Sequence, residues 1–163
     1  MPSVLFVCTA NLYRSPLAAA FLRSVLKDAP GGEVGWAIDS AGTWTKSGTP
    51  IHSQTVEDAR HFGLDIRSHR SKQVSAELLS RQDLILVMET GHKEALLIEF
   101  PEQSKKIHLL SEVVDGRSYD IPDPFSLEGK HDRDVADELH RIITHGYQKI
   151  FTLAKSNSNH STE

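Results

Sequence analysis

The stretch that decides the fold is LFVCTANLYRSPLAAAFL, residues 5–22. With Val4 it opens on the unbroken apolar run VLFV (4–7), the pattern of a parallel strand buried on both faces. Ser15 and Pro16 then read as a helix start, a polar cap followed by proline at the first helical position. Ala18, Phe21, Leu22, Val25 and Leu26 fall on one face of the helix that follows, and DAPGG (28–32) stops it. Between strand and helix stands Cys8, the one cysteine of the chain, with five residues separating it from Arg14.

The same alternation continues outward. VGWAIDSAG (34–42) reads as a second strand ending in a turn, and WTKSGTPIH (44–52) as a loop. Residues 55–62 form a helical pattern stopped by Gly63. LDIRSHRSKQV (64–74) connects to a short helix near 75–80. DLILVM (83–88) is a third strand, ETGHKEALLIEF (89–100) a helix and KIHLL (106–110) a fourth strand. SEVVDGRSYDIPDPFSLEGK (111–130) reads as one long loop, and KHDRD (130–134) as a solvated helix start. Val135, Leu139, Ile142, Ile143, Ile150 and Phe151 mark an amphipathic closing helix. KSNSNHSTE (155–163) is polar and predicts a disordered tail. Strands alternating with helices predict an α/β domain with a parallel sheet covered on both faces. Ligands of such sheets bind beyond the carboxyl ends of the strands, and Cys8 falls there.

Composition narrows the function. A chain of 163 residues suits one domain. A net charge of -4 argues against a nucleic-acid surface, which shows a basic excess. The apolar run at 4–7 is too short for a signal peptide, and no run approaches the roughly 20 residues of a membrane span. One cysteine forms no internal disulfide, so a reduced cytoplasm is the expected home and no membrane insertion is expected. The nine histidines show no H-E-x-x-H or clustered spacing, so no metal is expected.

A free cysteine is most often a small buried hydrophobe. The setting of Cys8 points elsewhere. A strand-to-helix loop aims backbone N–H groups inward as an anion cradle, and the helix adds its positive end. Arg14 supplies a planar fork that matches two phosphate oxygens. Such a field favours the thiolate of a cysteine set in it, where an isolated thiol is only about 3% ionised at pH 7. One loop thus offers a nucleophile and an oxyanion site. Downstream, Pro122 and Pro124 restrict the backbone around Asp123, as a surface turn or as the frame of a proton donor.

Val7, Cys8, Asn11, Arg14, Ser15 and Pro16 match a V-C-x-G-N-x-C-R-S-P signature, and YDIPDPF (119–125) supplies an Asp-Pro loop before the last helix. In these motifs the chain resembles the low-molecular-weight protein tyrosine phosphatases. DSAGT (39–43), SHRSKQ (68–73) and DLILVMETGHKEAL (83–96) extend the resemblance over residues 3–154. It is most similar to bacterial members that act on the tyrosine kinases of capsule and exopolysaccharide export. The resemblance implies a single-domain, doubly wound, parallel four-stranded sheet in the order 2-1-3-4 with helices on both faces, and a phosphatase domain over 1–154. It implies that Cys8 attacks phosphorus to form a cysteinyl-phosphate, that Asp123 is the acid and then the base, and that no cofactor takes part. Thr9, Ala10, Asn11, Leu12, Tyr13, Arg14 and Ser15 would form the phosphate-binding loop, with Ser15 bonded to the Cys8 sulfur. Asn11, Ser40 and His69 match a network that shapes this loop. Leu12, Trp44 and Phe125 would contact the substrate ring, and Asp120 is the second candidate acid. The implied partner is a tyrosine-phosphorylated protein, with a bacterial tyrosine kinase as the candidate.

Leu12 favours phosphotyrosine, because phosphoarginine members of the family carry threonine there. A phosphoarginine or small aryl-phosphate phosphatase and a weakly catalytic phosphotyrosine-binding protein are the alternatives. Two departures carry weight. Ala10 replaces the usual glycine and costs roughly 1–2 kcal/mol if that position needs positive φ. Tyr13 replaces a second cysteine that, in many members, can pair with the nucleophile. Arsenate reductases of the same fold rely on further cysteines, which this chain lacks.

Overall fold

A computed structural model describes residues 2–30, 35–125 and 133–160. Four strands, β1 (Ser3–Cys8), β2 (Ala37–Gly42), β3 (Leu84–Val87) and β4 (Ile107–Leu109), form one sheet in the order β2-β1-β3-β4. Every pairing is parallel. The register sets Cys8 opposite Gly42 and Val7 opposite Val87. This is the sheet the sequence and the resemblance imply.

The apolar runs are apolar because both faces are covered. Val4, Phe6 and Cys8 of β1 and Leu84 and Leu86 of β3 face one core. That core is closed by α1 (Arg14–Asp28), α5 (Leu110–Asp115) and α6 (Asp134–His160). Leu5, Val7, Ile85 and Val87 face the other core, with Leu79 of α3 (Ala76–Ser80) and Leu96 of α4 (Thr90–Glu99). The remaining helix, α2 (Ser53–His61), leads to Gly63, whose φ of 76° lets the chain turn back. A 3₁₀ turn (Pro101–Lys106) leads into β4.

Three expectations change. The stretch expected as a loop from 111 holds α5, which spans six residues, too few to show a period. Gly116 ends it in the left-handed region at φ 69°. Helix α6 packs on α5 so closely that a Cβ on Gly146 would lie 2.4 Å from Val114 Cγ1. Second, α6 runs to His160, into the stretch expected to be disordered. Buried Ala154 and the Asn157 amide, which donates to the Asp83 carbonyl at 2.8 Å, hold its end. Third, α1 starts at Arg14, with Tyr13 in the cap position and no side-chain cap; Ser15 is engaged elsewhere. Residues 130–132 of the expected helix start and 161–163 of the expected tail lie outside the described residues. Among the described residues no helix is long and apolar enough to cross a membrane.

Candidate active site

Strand β1 ends at Cys8 between β2 and β3, where the strand order reverses. The loop after it is pinned from β2. Thr43 and Trp44 donate their N–H groups to the carbonyls of Cys8 and Thr9 at 2.9 and 3.0 Å. Gly42 is needed for this approach, since a Cβ there would lie 2.5 Å from the Thr9 oxygen.

Asn11 shapes the turn. It is the one non-glycine with positive φ among the described residues, at 60°. Asparagine tolerates that region better than most residues, and here five hydrogen bonds hold it. Its side chain donates to Ser15 Oγ and Ser40 Oγ at 2.8 and 2.9 Å and accepts from Lys72 N–H at 2.9 Å. Its carbonyl accepts from His69 Nε2–H at 2.8 Å, and its own N–H points at Cys8 Sγ, 3.3 Å away. Burial pushes the His69 imidazole below its ordinary value. Ala10 is not in the positive-φ region, so its replacement of glycine carries no backbone strain; it lines the pocket described below.

Cys8 is 2% exposed, and its sulfur lies 3.0 Å from Ser15 Oγ. A thiolate there accepts from both the Ser15 hydroxyl and the Asn11 N–H. The first-turn N–H groups of α1 have no partner within the helix, and no side chain caps them.

Arg14 is 2% exposed. Its Nη1 donates to Glu89 Oε2 and to the Ile121 carbonyl, both at 2.8 Å. His92 joins the same cluster. Its Nδ1 accepts from the Glu89 N–H at 3.1 Å, so its Nε2 carries the proton and donates to Thr9 Oγ1 at 2.8 Å. Burial and the adjacent Arg14 charge push His92 down to about 4, so it is neutral at pH 7.

These elements enclose a pocket of about 150 Å³ lined by Cys8, Ala10, Leu12, Tyr13, Arg14, His52, Asp123 and Phe125. Asp123 Oδ1 accepts from the Phe125 N–H at 3.0 Å. Asp120 is differently placed. Thr90 donates to it through N–H and hydroxyl at 2.8 and 2.6 Å and holds the carboxyl below its usual range. It lies outside the pocket lining with its carboxyl committed to Thr90, a placement that favours Asp123 over it as the proton donor. Trp44, expected beside the substrate ring, is 85% exposed and absent from the lining. Its backbone is tied to Thr9 while its indole stands in solvent. His52 takes a place on the wall instead, and the sequence reading missed it, as it missed Glu89 and His92. The Glu89-x-x-His92 spacing was a signal, because at a helix start it makes a reciprocal cap. Among the described residues no group of three or more His, Cys, Asp or Glu side chains is placed to hold a metal ion.

The family model for low molecular weight phosphotyrosine protein phosphatase matches residues 3–156. The chain belongs to that family. It is 37% identical over 123 residues to a probable low molecular weight protein-tyrosine-phosphatase, EpsP, of Ralstonia nicotianae, covering 76% of this chain and 78% of that one. It is 36% identical over 151 residues to a protein-arginine-phosphatase of Geobacillus stearothermophilus, covering 91% and 96%. The crystal structure of a YwlE mutant from Bacillus subtilis superposes with a TM-score of 0.83 at 28% identity, covering 92% of this chain and 99% of that one. The family is one of hydrolases, and its matched span includes every strand of the sheet and the whole pocket.

Proposed function

We propose that this chain is a cytoplasmic protein-tyrosine phosphatase that works through a cysteinyl-phosphate. The observation that carries the reading is that Cys8, Arg14 and Asp123 share one small pocket with Leu12, Tyr13 and Phe125. The Cys8 thiolate attacks phosphorus as the P–O bond to the tyrosyl oxygen breaks. Asp123 gives its proton to that oxygen, whose pKa of about 10 makes it a poor leaving group unaided. Asp123 then takes a proton from water, which attacks the cysteinyl-phosphate, and phosphate leaves as the thiolate re-forms. Arg14 and the loop N–H groups hold the equatorial oxygens through both steps. The Ser15 hydroxyl stabilises the departing sulfur. A tyrosine-phosphorylated protein is the substrate, with a tyrosine kinase as the candidate.

The reading is tested by mixing the protein with an aryl phosphate and quenching in acid. Phosphate on Cys8 is expected, and its absence without turnover overturns the proposal. The arginine phosphatase relative keeps phosphoarginine as a second reading, and Leu12 favours phosphotyrosine over it. Its side chain offers the pocket no hydrogen bond for a guanidinium. Phosphotyrosine peptides should be cleaved about a hundredfold faster than phosphoarginine peptides, and Leu12→Thr should shrink that ratio at least about tenfold. Equal rates on both peptides would remove the preference for tyrosine.

Tyr13 supplies a further expectation. A sulfenic acid formed on Cys8 has no neighbouring thiol with which to form a protective disulfide, so excess peroxide drives it to the irreversible sulfinic acid. Dithiothreitol should recover little activity after a peroxide pulse, and complete recovery would refute this.

A further inference from the structure

We propose that Tyr13 is a positioning residue for the general acid, holding the Asp123 loop over the site through the ring of Phe125. The proposal rests on the roles assigned above to Cys8 and Asp123. Tyr13 belongs to the phosphate loop, yet its side chain is engaged with other elements. Its ring is 3% exposed, and its hydroxyl donates to Asp58 Oδ2 at 2.6 Å. Asp58, on α2, is itself buried and also accepts from Gln54 Nε2 at 3.0 Å. The ring is thereby fixed from below by α2.

Tyr13 meets Phe125 edge to face, with centroids 5.5 Å apart and planes at 90°. His52 meets Phe125 the same way, at 5.2 Å and 67°. These are favoured aromatic geometries. The Phe125 N–H in turn donates to Asp123 Oδ1. A continuous path therefore runs from Asp58 through Tyr13 and Phe125 to the acid. The upstream end of the loop is tied separately, where the Ile121 N–H donates to the Met88 carbonyl at 2.9 Å and the Ile121 carbonyl accepts from Arg14. Pro122 and Pro124 stiffen the segment but have no N–H with which to tie it down. At the downstream end Phe125 is held by its ring contacts with Tyr13 and His52.

This placement matters because a general acid must lie within about 2.6–3.2 Å of the leaving oxygen. A displacement near 1 Å can cost on the order of a hundredfold. A residue at 13 as small as cysteine would leave Phe125 without its edge contact from the phosphate loop.

The test compares kcat/KM on two substrates of the full chain. Phenyl phosphate needs a proton on its leaving oxygen, and p-nitrophenyl phosphate needs much less help. Tyr13→Leu should lower the rate on phenyl phosphate roughly tenfold more than on p-nitrophenyl phosphate. Tyr13→Phe keeps the ring and should hold the ratio of the two rates within about threefold of the unaltered protein. Phe125→Leu should reproduce the Tyr13→Leu change in ratio, and the double variant should add nothing to it. Phe125 is 47% exposed, so this variant carries the test even if Tyr13→Leu does not fold. An equal fall on both substrates, or a double variant in which the two changes multiply, overturns the inference. Absence of turnover in the unaltered protein, or an Asp123→Asn variant with an unchanged ratio, would overturn the underlying roles instead.

Discussion

Cys8→Ser is expected to leave less than about one part in 10⁴ of the aryl phosphatase rate, while the protein still folds and binds a phosphotyrosine peptide. The size of the loss follows from what the site contains. The sulfur lies 3.0 Å from Ser15 Oγ and 3.3 Å from the Asn11 N, whose N–H points at it. These stabilise an anion but do not remove a proton. The His69 Nε2–H is spent on the Asn11 carbonyl, and the His92 Nε2–H on Thr9. Among the described residues no imidazole or carboxylate is hydrogen-bonded to Cys8, so a serine hydroxyl there has no base in hand to activate it. Water has little room to take over from the Cys8 side, where the side chain lining the pocket is 2% exposed. The oxyanion groups are untouched by the change, so binding survives. Serine replaces sulfur with a smaller acceptor in the same hydrogen bonds, so stability changes little. Steady-state rates together with peptide binding by calorimetry check both halves. A variant retaining even one per cent of the rate would show that Cys8 is not the nucleophile.

How much of this could be read in advance depended on whether the signal was local. VLFV and LILV are apolar throughout because two cores, one on each face, bury every residue of them. That requirement writes itself into a short run. The strand-to-helix turn at Cys8 was legible for the same reason. Ser15-Pro16 misled because serine before proline is a helix-start signal, whereas this serine donates to the Ala41 carbonyl and sets its Oγ 3.0 Å from Cys8 Sγ. Helix α5 gave no periodicity, being shorter than two turns. Asp58 and His52 were hidden because their meaning lies in contacts between elements far apart in sequence, and the Glu89-x-x-His92 spacing signals only the local cap, not the contact with Arg14. Tyr13 to Asp58 spans 45 residues, and Arg14 to Glu89 spans 75. Exposed Trp44 shows the converse: an aromatic in the expected loop need not line the pocket.

Arg14→Lys is the second large effect, expected to lower kcat/KM about 10²–10³-fold. The guanidinium is divided between two tasks. The two hydrogens of Nη1 are committed to Glu89 Oε2 and the Ile121 carbonyl. That fixes the plane of the group; in the role proposed above, the Nη2 and Nε edge would meet two phosphate oxygens as a pair of parallel donors. Nη2 already lies 3.5 Å from Thr9 Oγ1, beside the cradle. An ammonium cannot divide its work this way. Drawn to Glu89, it abandons the phosphate. Drawn to the phosphate, it leaves the Ile121 carbonyl unpaired and frees the upstream end of the Asp123 loop. Both the oxyanion site and the acid are then misplaced, so the loss falls on kcat as well as on kcat/KM. Glu89→Gln separates the two tasks. It keeps an oxygen acceptor for Nη1 and should cost no more than about tenfold. A further check compares inhibitors: Arg14→Lys should weaken vanadate, which takes up the trigonal-bipyramidal geometry on the thiolate, more than it weakens inorganic phosphate. If both inhibitors weaken by the same factor, Arg14 acts as a charge alone, and the anchoring by Glu89 and Ile121 has no part in stabilising the transition state.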